Sequence, residues 1–216
     1  VEQGIPAIAT GGGIGGAVSA LWKRPQYSTD SSSSFTGDTE VAFGSVDDGT
    51  SYSGVLGLVS DTQRIYVVGS FDEGDDYDTD AGKVAATQYE RDVYGIGYGF
   101  RFGDHAIDVN VHRMQTEDTG TPSLPMDIDW FDTDIWNVSY RNESGPVNLE
   151  LRLYGSSIDH GMSNFRLRPA PDFSSLPLPP FVGDDKRNVL TDSREQGFKL
   201  TLDTEVGGGV LVAGIE

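Results

Sequence analysis

The chain has 216 residues, with 34 Asp+Glu against 15 Lys+Arg and a formal net charge of −19. That balance excludes nucleic acid as a partner, because phosphate binding needs a basic footprint. The absence of cysteine excludes a disulfide framework, a thiolate metal site and a cysteine nucleophile. Only 37% of residues are hydrophobic while Gly reaches 28, a composition that suits strands apolar on one face only.

Residues 1–30 differ from the rest. Gly11, Gly13 and Gly16 match GxGxxG, but a dinucleotide site needs a second parallel strand ending in an acid about 20 residues later. Here the chain runs instead into Lys23-Arg24-Pro25 and the Ser-rich stretch Ser31–Ser34. The glycines read as a close-packed bend followed by a linker. No window approaches the ~20 apolar residues of a spanning helix, and no secretory leader is visible. Val1 opens in mid-pattern and the chain stops in a strand-like run at Val212–Glu216, so both ends read as cut.

From Phe35 onward the period is two. Weak alternation predicts strands over Thr36–Ser45, Tyr52–Ser60 and Arg64–Phe71. The pattern sharpens in Asp92–Phe102, where Tyr94, Ile96, Tyr98, Phe100 and Phe102 oppose Val93, Gly95, Gly97, Gly99 and Arg101. Ala106–His112, Asp134–Arg141, Val147–Leu153 and Gly197–Leu202 alternate in the same way, and a ninth run begins near Gly209. Charged residues in mid-strand, such as Asp108, Glu150, Arg152 and Lys199, cannot face lipid cheaply. They suit a wet interior, with the apolar face turned to lipid. After the first connection, Val46–Ser51, the lengths alternate tight and long: Asp61–Gln63, Asp72–Tyr89, Gly103–Asp104, Gln115–Ile128, Asn142–Gly145, Ser156–Asp192, Glu205–Gly208. A meander turned tightly at one end and looped at the other is the pattern of outer-membrane barrels.

Enzyme signals are poor. No GxSxG elbow is present, and the only histidines are His105, His112 and His160. Asp75, Asp76, Asp78 and Asp80 read as a solvated acidic outer loop; calcium binding over Asp72–Asp80 is an alternative, without EF-hand spacing. The three methionines suggest more. Met114 falls at the outer end of the fifth predicted strand, Met126 in the third outer loop and Met162 in the fourth, with His112 and His160 nearby in sequence. Thioethers prefer soft Cu(I), and imidazole accepts copper in either state. The candidate metal residues are therefore Met162, His160, Met126 and Met114. Gap filling by methionine is the plainer alternative.

Gly12-Gly13-Ile14-Gly15-Gly16-Ala17-Val18 followed by Lys23-Arg24-Pro25 resembles the closing motif of the plug domain in TonB-dependent outer-membrane receptors. Thr121–Asp127 and Phe131–Asp134 resemble loop segments of that family, and Asp159–Arg168 resembles its copper-receptor branch. The resemblance implies an all-β fold: a partial antiparallel transmembrane β-barrel meander, about nine strands of a 22-stranded barrel, with the tail of an N-terminal plug. Residues 1–30 would end the plug and residues 31–216 begin the barrel. It also implies a place in the bacterial outer membrane among its lipids, uptake energised by a TonB complex, and a metal or metal-chelate substrate, copper first. No resident cofactor is expected. A ferric siderophore receptor is the main alternative; a porin or a calcium-stabilised secreted β protein are further ones.

Overall fold

A computed structural model describes residues 22–172 and 185–216. The glycine motif over residues 11–18 lies outside the described residues. Among the described residues eleven strands are formed: β1 (Ser34–Phe43), β2 (Thr50–Val59), β3 (Gln63–Gly74), β4 (Tyr77–Thr79), β5 (Gly82–Val84), β6 (Tyr89–Phe102), β7 (His105–Thr119), β8 (Asp127–Asn142), β9 (Val147–Ser163), β10 (Asn188–Val206) and β11 (Gly209–Ile215). Nine of them make one antiparallel sheet in the order β1-β2-β3-β6-β7-β8-β9-β10-β11, and β4 and β5 form a separate hairpin. The sheet is a meander in which every strand pairs with the next, as the alternation predicts.

Connection parity holds. The short turns at Ser60–Thr62 and Gly103–Asp104, and those between β8 and β9 and between β10 and β11, share one end. Neighbouring turns are joined there by Arg101 N–H to Thr62 O (2.7 Å) and Glu143 N–H to Asp104 O (3.0 Å). Gly207 and Gly208, with φ of 58° and 83°, supply the two left-handed positions of a two-residue hairpin turn. The longer connections meet at the other end, through Asp75 N–H to Asp47 O (2.7 Å) and Gly120 N–H to Gln88 O (2.8 Å).

From β6 onward the strands are longer than the alternation predicts, chiefly at the looped end. β7 continues past His112 to Thr119, β8 begins at Asp127, β9 runs on to Ser163 and β10 starts at Asn188. Segments assigned to outer loops are therefore strand, Asp159–Ser163 among them. In these extensions the outward side chains turn acidic. Asp132, Asp159 and Asp192 stand directly opposite one another across β8, β9 and β10, as do Glu73, Glu90 and Glu117 across β3, β6 and β7. With the outward face turned polar, the apolar-outward period is lost while the backbone ladder continues.

Below these rows the sheet is inside out relative to a water-soluble one. Val111, Ile96, Val67 and Leu56 form one cross-strand row, and all four are exposed. The opposite face buries Arg64, Tyr66, Asp108, Asn110 and His112. Each exposed aliphatic forgoes roughly 1.5–3 kcal/mol of burial in water, and a contiguous surface of them marks a lipid or protein interface. From Phe102 to Tyr94 the outward side of β6 is wholly apolar or aromatic. That is about 27 Å along the strand and, at a tilt of ~40°, about 20 Å along the normal, comparable to the ~25 Å band of a membrane barrel. Stacked rings of Phe100, Phe102, His105 and Tyr140 edge the band at the tight-turn end.

Glycines fit this sheet through cross-strand aromatics. Tyr66 is paired directly with Gly97, Trp136 with Gly155, Trp130 with Gly161, and Tyr154 with Gly197. At each glycine an added Cβ would collide with the partner ring, so the ring lies flat over the bare backbone. Gly95, Gly97 and Gly99 thereby make the inward side of β6 a trough receiving His112, Tyr66 and the Arg64–Asp108 pair. Gly97→Val should force Tyr66 out of this trough and lower stability by about 1–3 kcal/mol, measured by urea unfolding of the full-length protein folded into vesicles. Unchanged stability would show that the ring does not rest on Gly97.

Candidate functional site

The inner wall is organised around Asp108, which is 2% exposed. Its Oδ1 accepts a hydrogen bond from Arg64 Nη2. Its Oδ2 lies 3.3 Å from Arg141 Nη2 and 3.8 Å from Arg24 Nη1. Three guanidinium groups from β3, β8 and the segment preceding β1 thus converge on one buried carboxylate. A charge this deep is tolerated only when paired and hydrogen-bonded.

Trp22–Asp30 lies against this wall. Arg64 Nη1 donates to Pro25 O (3.1 Å). The Tyr27 ring sits between the guanidinium groups of Arg64 (4.4 Å) and Arg101 (3.8 Å). Backbone bonds from Ser28 N–H to Ser60 O (2.9 Å) and from Asp61 N–H to Asp30 O (2.9 Å) secure its far end. Lys23 pairs with Asp38, and Trp22 stacks on His112 at 4.1 Å with the rings 9° from parallel. None of these partners is legible in the sequence beyond the presence of mid-strand charge.

Above Asp108 the inward side chains become softer. Met114 faces inward on β7, directly opposite Thr133 of β8 and Val93 of β6. His160 faces inward on β9, opposite Phe131, and its ring stacks on that phenyl at 5.2 Å. Met162 follows one inward step higher, between Ile128 and Val189. Met126 ends the connection between β7 and β8, where its carbonyl accepts the Thr121 hydroxyl (2.5 Å). His160 and Met162 thus belong to a strand rather than to the fourth outer loop, and Met114 lies five residues short of the outer end of β7. The structure brings His160 and Met162 together. Met114 stands two strands away, about 10 Å across and about 7 Å lower than His160, so one ion cannot bridge all of them. Among the described residues no group of three His, Asp or Glu side chains converges as a metal site.

The rim above is tied by ion pairs. Arg168 Nε lies 3.0 Å from the buried Asp127, and its Nη2 donates to Leu124 O (2.6 Å). Arg166 reaches Asp118 (3.0 Å), while the Ser163 hydroxyl donates to Asp129 (2.8 Å). These contacts tie the end of β9 and the segment after it to the outer ends of β7 and β8 and to the connection between them. In the acidic loop, Asp76 Oδ1 accepts the backbone N–H of Thr87 (2.8 Å) and of Gln88 (3.2 Å), so this carboxylate serves as a turn cap. Beyond the apolar band, desolvation, then repulsion from Glu117, Asp92 and Glu73, raises the pKa of Glu90. Tyr89 is pushed up to about 12 by burial and its hydrogen bond to Asp47.

Nearly the whole chain is covered by a match to part of a known transporter. It is similar to the solved structure of the copper transporter OprC, with a TM-score of 0.82 and 18% identity, over 99% of this chain and 32% of that one. The sheet has the fold of part of the OprC barrel. OprC is a TonB-dependent receptor, the family that residues 12–18 and 23–25 resemble in sequence. The chain spans about a third of the length of OprC. No family pattern matches the chain, and no curated relative does.

Asp108→Asn should leave Arg64 buried beside a neutral partner and cost about 3–5 kcal/mol. The loss should be accompanied by faster hydrogen exchange at Ser28 and Asp61, whose amides secure Trp22–Asp30. Parent-like exchange there would show that the segment is held independently of Asp108.

Proposed function

We propose that this chain is part of a bacterial outer-membrane receptor that takes up copper, with residues 1–30 closing its plug domain and a TonB complex supplying energy. The carrying observation is the inside-out sheet: an apolar outward band about 20 Å tall, close to the ~25 Å band of a membrane barrel, over a buried polar wall. A soluble β-sandwich buries its apolar faces between two sheets. In lipid the same outward residues are solvated by hydrocarbon, and closure of the remaining barrel removes both raw edges.

The fold similarity to a copper transporter supports copper as the cargo, and two inward side chains supply suitable chemistry. His160 and Met162 are one inward step apart on β9, offering an imidazole nitrogen and a thioether sulfur to one soft ion. Two ligands bind weakly alone, so further ligands come from the rest of the receptor. On this reading the role of the chain is capture and passage, not catalysis. The acidic outer rows would attract cations to the mouth.

Spin labels placed singly at Tyr94, Val109, Leu149 and Leu200 of the full-length protein in lipid should report a hydrocarbon environment. Labels at Asp108, Glu150 and Lys199 should report a polar one. Water at the first set would reject the membrane reading. Met162→Leu keeps volume and apolarity but removes the sulfur. Copper affinity of the intact receptor should fall tenfold or more, about 1.4 kcal/mol, with stability nearly unchanged. Equal affinity in variant and parent would remove Met162 from the site without touching the membrane assignment.

A further inference from the structure

The inner wall carries a second histidine–methionine pair. His112-Arg113-Met114 repeats the spacing of His160-Gly161-Met162, and in both the two ligand-type side chains fall on the inward face of one strand. We infer that His112 and Met114 form a second soft-cation site on β7, below the His160–Met162 pair, with monovalent copper as the ion it takes.

Three polar atoms at this place need explaining. His112 is 1% exposed, and neither ring nitrogen has a hydrogen-bond partner among the described residues. Thr133, directly opposite Met114, is 4% exposed, and its hydroxyl also lacks a partner there. Buried polar groups are nearly always satisfied, and an orphan points to strain, to function or to a missing ion. An imidazole has two ring nitrogens, and a neutral one needs both a donor and an acceptor partner. A metal on one ring nitrogen would meet one of these needs, and a polar group from the rest of the receptor on the other would fix the tautomer, as outer partners of ligating histidines do.

The surroundings suit a soft ion better than a hard one. The thioether of Met114 favours Cu(I), and the nearest inward neighbours on the flanking strands are Gly95, Val93 and Ile135, which offer no carboxylate. Trp22 stacks on the face of the imidazole, which leaves the ring edge, where both nitrogens lie, as the binding edge. Successive inward rows thus present Met162, His160, Met114 and His112, descending from the looped end toward Asp108. Two low-coordinate sites staggered along one wall would let an ion be handed downward.

The inference rests on the copper-uptake reading for the ion's identity, but the test separates the two. Silver(I), a redox-inert soft cation, is titrated into the full-length receptor by calorimetry for parent, Met162→Leu, Met114→Leu and His112→Phe. The last keeps a ring against Trp22 and removes both nitrogens. Met114→Leu and His112→Phe should each abolish one binding equivalent while the His160–Met162 equivalent persists, and Met162→Leu should show the converse. If His112→Phe fails to fold, Met114→Leu carries the test alone, being nearly volume-conserving. Parent stoichiometry and affinity in Met114→Leu would overturn the second site; if Met162→Leu still weakened binding, the uptake reading would stand.

Discussion

A single buried carboxylate sets the terms for this wall. Asp108 is buried on the inner face of β7, and Ile107, Val109 and Val111 then face outward by the two-residue period. Cross-strand pairing transmits the choice to β6 and β8 and onward across the sheet, because a slip of one residue would invert every strand. The carboxylate also requires cations, which arrive from β3, from β8 and from the segment before β1. Burying a long Arg64 beside it needs space, and Gly99 provides it, since a Cβ there would meet Asp108, Arg64 and Tyr27 together. The bare backbone at Gly99, the inward arginines and the course of Trp22–Asp30 all answer to this one electrostatic requirement.

The two halves of each long strand answer to different solvents. Near the tight turns the outward face is aliphatic and aromatic; toward the loops it becomes a pair of carboxylate ladders. Directly opposed like charges weaken a sheet; on the outer face Arg113 offsets this by pairing with Asp132 (3.0 Å) and Asp134 (3.1 Å), and the backbone ladder and the inward contacts hold the rest. The ion pairs of Arg166 and Arg168 brace the adjoining connections. A rim of this kind carries a negative field, which on the uptake reading proposed above would draw cations toward it.

Soft ligands on a rigid strand differ from soft ligands on a loop. A loop methionine must be ordered on binding, at an entropic cost for its three rotatable bonds. On β7 and β9 the backbone is already fixed by pairing on both sides, and only the side chains adjust. The spacing of two residues places imidazole and thioether on the same face whenever the segment is strand, and the same short motif in a helix would point them about 200° apart around the axis. The extended conformation therefore turns a sequence coincidence into a usable pair.

The sequence by itself determined the all-β meander, the direction of each alternating face and the alternation of tight and long connections. All three follow from local periodicity, turn glycines and the cost of charge in lipid. Tertiary structure decided where the strands end, because above the apolar band the outward face turns polar and the apolar-outward period is lost. It decided that His160 and Met162 belong to β9 for the same reason. It alone joined Asp108 to Arg64, which lies 44 residues away, and set Trp22 over His112. Such contacts depend on register and curvature summed over several strands, and no window along the chain contains them.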